Sequence, residues 1–175
     1  MRSKTFVTTL MLAVLTTIAI AQQVTYDFDR AADFSTFKRY AWVRGTVLND
    51  QLNHDRVVSA INAQLASRGL VQVQPADSPD VLVAYHASFD RNLQITGFSS
   101  GWGGYRFPAS RTGSARAEEI VVGSLVVDVV NARTKTIVWR GSATRDIDVN
   151  ASPEKRDKNI NKAAEKLFKN FPPKK

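Results

Sequence analysis

The chain has 175 residues, 43% hydrophobic and 23% charged, with 24 Lys and Arg against 16 Asp and Glu and no cysteine. That length suits one ordinary domain with a substantial core, and the missing cysteine excludes disulfides and a lipid-modified N-terminal cysteine. The basic surplus is local: residues 154–175 carry eight Lys and Arg against three acids. Such a terminus suits anionic envelope surfaces or a solvated helix face, and no aromatic residues interleave with its lysines as a nucleic-acid platform needs.

Arg2 and Lys4 precede an apolar run, residues 6–20, and Ala19-Ile20-Ala21 supplies a small-residue cleavage site. This is the pattern of a secretory signal peptide, too short to span a bilayer as a helix of about twenty residues. Residues 1–21 are therefore expected to be removed. Residues 22–175 are then expected to form a single α+β domain, soluble in the periplasm or cell envelope, with retention of the N-terminal segment as an anchor as the alternative.

Val24, Tyr26 and Phe28 alternate with Thr25, Asp27 and Asp29, the period of a half-buried strand. Residues 33–38 read as a turn and 39–43 as a second, aromatic-rich strand ended by Gly45. Asp27 and Asp29 share a strand face but have no third oxygen ligand nearby, so a solvated edge is expected rather than a cation site.

From Asn53 the period becomes helical: Val57, Val58, Ile61 and Leu65 mark a helix over 54–68, with Asn53 as its cap and Asp55 in its first turn. Gly69 sits where a left-handed residue would end it, returning Leu70 onto Leu65. His54 has no second ligand at helical spacing. Residues 70–74 alternate again, and 77–80 form a loop. Val81 to Phe89 is apolar on both faces at its start, as expected of a central strand, with His86 a packed or surface histidine. Residues 92–96 are expected to add a short edge strand.

Residues 97–114 hold five of the nine glycines, and the flexible segment is expected to run over 97–117. It has neither the Gly-Lys-Ser/Thr ending of a phosphate loop nor the strand-to-helix setting of a dinucleotide fingerprint. Phe98, Trp102, Tyr105, Arg106 and Phe107 are the candidate contact surface, for an envelope protein, a glycan or a lipid headgroup. The plainer alternative is a hairpin connection. Residues 118–130 and 136–149 then read as a hairpin, apolar on one face, with Arg140, Asp146 and Asp148 together on the other. Ser152 as cap and Pro153 at the first helical position open a last helix whose stripe is Ile160, Ala163, Ala164, Leu167, Phe168 and Phe171.

This order predicts a two-layer α/β sandwich, a mostly antiparallel sheet with two helices packed on one face. The start Tyr26-Asp27-Phe28-Asp29 with Phe37-Lys38-Arg39-Tyr40-Ala41-Trp42, the segment Ser78-Pro79-Asp80-Val81-Leu82-Val83, the glycine-aromatic loop, the hairpin through Val138-Trp139-Arg140-Gly141 and the ending Phe171-Pro172-Pro173 form an ordered set. Together they resemble the bacterial envelope proteins, often lipoproteins, grouped as domain of unknown function 4136. The resemblance covers residues 22–175 and implies an envelope location but brings no catalytic residues. Members anchored by a lipidated cysteine differ from this chain, which has none. No nucleophile, histidine and acid set stands out, so a non-enzymatic binding or interaction module without metal or cofactor is expected. An envelope hydrolase or transferase using His86, Asp128, Asp146 or Asp148 is the alternative, and an adhesin for anionic surfaces a third reading.

Overall fold

The computed structural model describes residues 22–96 and 116–174, with side chains outside 91–120. Eight main elements follow in chain order: β1 Gln23–Phe28, β2 Arg39–Trp42, α1 Gln51–Ala66, β3 Val71–Gln72, β4 Val81–Thr96, β5 Arg116–Asn131, β6 Ile137–Ile147 and α2 Pro153–Phe168. The sheet order is β1-β6-β5-β4-β2-β3. All pairings are antiparallel except β2 with β3 and β2 with β4. The predicted two-layer sandwich is observed, with both helices over one face.

Register explains which residues face the helices. Tyr85 pairs with Val127, which pairs with Gly141, which pairs with Tyr26. Because side chains alternate along a strand, Val81, Val83, Tyr85, Val127, Val129 and Trp139 fall on this same face, and all are buried. Leu167 and Phe168 of α2 close the core from above, with the Trp139 and Phe168 rings stacked at 5.1 Å between centroids. Gly141 makes this possible. A Cβ there would strike the Trp139 ring and come within 2.9 Å of Leu167 Cδ1, so only glycine lets the indole lie against the strand.

Several expected boundaries shift. The cap of α1 is Asp50 rather than Asn53: its carboxylate accepts from Leu52 N at 3.0 Å and Asn53 N at 3.3 Å. The helix therefore starts earlier, and Asp55 lies beyond its first turn. Its end is as expected: Gly69 has φ +82°, Leu70 N donates to Leu65 O at 3.1 Å, and Gly69 N donates to Ala66 O at 2.9 Å. The turn at 33–38 contains a 3-10 helix, Phe34–Thr36. Residues 92–96 form no separate edge strand; they continue β4 and pair with β5 throughout. Local pattern marks strand residues but not their partners, and here the ladder with β5 carries the strand on. For the same reason β5 already includes Arg116 and Ala117. The cap of α2 is as expected, with Ser152 Oγ accepting from Lys155 N at 3.3 Å, and so is its stripe as far as Phe168; Phe171 is buried but lies beyond the end of the helix.

From Val43 to Thr46, on either side of Gly45, the chain continues to run beside β4, with Val43 N donating to Val83 O and Ala87 N to Thr46 O, both at 2.9 Å. Gly45 lies so close to the Tyr85 carbonyl that any Cβ would collide with it. Tyr40 and Trp42 both donate to Asn62 Oδ1 at 2.9 Å, tying β2 to α1. Arg68 joins the ends of the two helices by donating to Phe171 O at 2.6 Å and Phe168 O at 2.5 Å.

Candidate functional site

Two places concentrate chemistry, one on each face of the sheet. On the face away from the helices, register sets Asp128 of β5 between Ala84 of β4 and Arg140 of β6. Asp128 is 5% exposed, and its carboxylate accepts from Arg140 Nε at 2.6 Å and Nη2 at 2.7 Å. That fork lowers the cost of burying the carboxylate, and it raises the guanidinium pKa above its ordinary value. His86 Nε2 lies 3.5 Å from Asp128 Oδ2, while His86 Nδ1 is 3.1 Å from both Thr46 N and Thr46 Oγ1. Thr46 N can only donate, so Nδ1 is the acceptor, and the neutral ring carries its proton on Nε2, toward Asp128.

A hydroxyl, an imidazole and a carboxylate thus stand in sequence. Their setting is poor for nucleophilic catalysis, because the base nitrogen already receives a main-chain N–H and the carboxylate is saturated by Arg140. Neither described cavity includes Thr46, His86 or Asp128. Asp146 and Asp148 do not join the cluster. The face expected to carry them with Arg140 holds no ion pair between them among the described residues: Arg140 turns across the strands to Asp128, and Asp148 lies past the end of β6 and pairs with Lys155 at 2.8 Å. That contact holds the Asp148 carboxyl below its usual range. Asp27 and Asp29 turn to their own backbone, accepting from Phe28 N and Ala31 N at 2.8 Å each. His54 Nδ1 is 2.5 Å from the Tyr85 hydroxyl and has no metal-ligand partner. Among the described residues no group of three or more His, Cys, Asp or Glu could hold a metal ion.

The second place is a cleft of about 300 Å³ on the helix side, where the long strands run out beyond the start of both helices. Ala87, Phe89, Leu125, Gly123, Ala143 and Ile147 give it a floor on β4, β5 and β6. Leu48 and Val57 form one wall, and Ile160 and Ala163 of α2 the other. The cleft exists because helix-facing positions on three adjacent strands hold small residues: Ala87, Gly123 and Ala143. Ile147 leans across Gly123, where a Cβ would come within 2.7 Å of its Cγ1.

The rim is charged. Arg145, which shares the helix-facing register of Gly123, donates from Nε to Asp146 O at 3.2 Å and has no ion-pair partner among the described residues. Arg156 is fixed by Ala151 O and Val149 O, both at 3.0 Å. Those carbonyls orient it without cancelling its charge. Gln22 also lines the cleft, and its Nε2 is buried with no partner among the described residues.

The sequence gives no direct sign of this cleft. Its nearest signal is the run of small residues at alternating strand positions, which becomes a gap only once the register is known. The expected contact residues Phe98, Trp102, Tyr105, Arg106 and Phe107 lie outside the described residues.

The family model described as "Domain of unknown function (DUF4136)" matches residues 24–173. No curated protein matches the sequence. Among solved structures the fold is similar to a PDZ domain protein from Parabacteroides distasonis, at TM-score 0.58 and 15% identity; 88% of this chain is covered, but it spans only 37% of that protein. It is also similar to a DUF4136 family protein from Bacteroides thetaiotaomicron, at TM-score 0.53 and 13% identity, covering 86% of this chain and 96% of that one. A third likeness is to PelC from Paraburkholderia phytofirmans, solved as a dodecamer, at TM-score 0.52 and 11% identity, covering 85% and 96%. At these identities the likeness is one of fold.

Proposed function

The chain belongs to the DUF4136 family, and from that premise we propose that it is an exported cell-envelope protein acting as a non-enzymatic binding module. The observation that carries this reading is the separation of its two chemical features. The concave surface is an apolar cleft, whereas the histidine–carboxylate pair sits on the opposite sheet face with Asp128 tied to Arg140. A hydrolase needs both in one place: a concavity for substrate and an activated nucleophile within it. Export rests on the basic and apolar start and on Ala19-Ile20-Ala21. The aromatic residues of 97–107 are proposed as a further contact surface on sequence grounds.

Fractionation with N-terminal sequencing is expected to recover the protein from the envelope beginning at Gln22; recovery from the cytoplasm with Met1 intact would overturn the export reading. Purified protein incubated with peptidoglycan and with phospholipid is expected to release no product. Hydrolysis that is lost in His86→Ala would establish the enzymatic alternative instead.

A further inference from the structure

We infer that the helix-side cleft binds a single-chain anionic amphiphile of the fatty-acid class, its acyl tail on the floor formed by β4, β5 and β6 and its anionic head at Arg145. The inference rests on the reading of the chain as a binding module and names its ligand.

Size, polarity and charge each narrow the occupant. About 300 Å³ is at the lower end of ligand pockets, and at roughly 30 Å³ per water-sized group it holds about ten such groups. That is room for one chain of about ten carbons in single file, not for a diacyl lipid. The floor is apolar from Leu125 and Ala143 out to Phe89 and Ile147, and Phe89 remains 52% exposed. A side chain of that size left half in water at the mouth of an apolar cleft is where a tail would recover burial.

Among the charged residues lining the cleft, Arg145 and Arg156 stand against Asp146 and Asp148, and Asp148 is taken by Lys155, which lies outside the lining. With Asp148 so neutralised, two guanidiniums face one remaining carboxylate; Arg156 is fixed by two backbone carbonyls, which leaves Arg145 as the less constrained cation. The unpartnered Gln22 Nε2 adds a buried donor within the same cleft. A carboxylate head would satisfy both the cation and the donor, whereas an ammonium head would satisfy neither.

The test is a methyl NMR titration of the exported protein with decanoate, with decan-1-ol and decyltrimethylammonium as neutral and cationic comparators of the same tail. Decanoate is expected to shift the methyl signals of Leu125, Ile147 and Ile160 in a saturable way below its micellar concentration. It should bind roughly threefold to tenfold more tightly than the alcohol, with the ammonium weakest. Arg145→Gln should remove that advantage while leaving decan-1-ol binding unchanged. Ala143→Phe should abolish binding of all three by filling the floor; if it fails to fold, Ala87→Trp on the β4 side of the same floor serves instead. No saturable shift at the cleft methyls, unchanged binding in a folded, filled variant, or equal affinity for the three heads would overturn the inference. None of those outcomes bears on where the protein is found or on whether it hydrolyses substrate, so the reading beneath it stands or falls separately.

Discussion

Asp80 shows what one side chain contributes to this fold. Its Oδ2 accepts from Lys38 N at 2.9 Å and Arg39 N at 2.8 Å, fastening the loop before β4 to the start of β2. The Lys38 hydrogen bond, with help from Arg39, holds the carboxyl below its ordinary value. A carboxylate with a depressed folded-state pKa stabilises the fold fully above its unfolded value of about 3.9, and the contribution disappears as pH falls through the folded value. Asp80→Asn should therefore lower stability by about 1 kcal/mol at neutral pH, a gap that persists down to about pH 4 and closes below it. Parallel urea titrations of both proteins across that range would measure it, and a gap independent of pH would show that the charge is irrelevant. Pro79-Asp80 could be read in the sequence as loop chemistry, but not as a clamp on β2, because its partners lie 42 and 41 residues earlier. Arg140 teaches the same lesson. Along one strand its neighbours by count are Asp146 and beyond, yet register gives it Asp128.

The helices show why caps are harder to place than stripes. Ile61 and Leu65 are fully buried, as are Leu167 and Phe168, all at positions the spacing marks. An apolar stripe repeats over several turns, so one misread position hardly moves it. A cap is a single side chain, and the stretch before Val57 offers Asn49, Asp50 and Asn53 as rivals. The geometry selects Asp50, whose second oxygen also accepts from Asn53 Nδ2 at 2.8 Å. Asp50→Ala should therefore cost about 1 kcal/mol in thermal or chemical unfolding, and Asn53→Ala clearly less. The reverse order would return the cap to Asn53. At the other end Gly69 and Leu70 were legible together, because left-handed backbone and a buried following residue constrain the same two positions.

At the scale of the whole molecule, strand content and layer arrangement could be read from alternation, whereas strand order could not. Nothing local states that β1 pairs with β6 or that β2 runs parallel to β4, since pairing depends on residues far apart in the chain. The cleft was hidden for that reason: Ala87, Gly123 and Ala143 become neighbours only through register. The sheet order predicts a gradient of local stability. Amide exchange should be slowest along the buried middles of β4, β5 and β6, around Val83, Val127 and Trp139, and fastest in β3, whose Val71 is 62% exposed. The outer amides of β1 should also exchange quickly. Protection of β1 equal to that of β5 would mean that the edge it forms among the described residues is covered.

The pairing of Phe28 with Trp139 has a temporal meaning as well. Among the described residues β1 is the first strand made, and its one neighbour in the sheet is the last. While the intervening chain is being synthesised, Val24, Tyr26 and Phe28 have no strand to join, and loop closure over so long a separation is slow. The amino-terminal edge thus stays open until the carboxy-terminal strand arrives. A sheet wired in this way cannot be completed before β6 has been made.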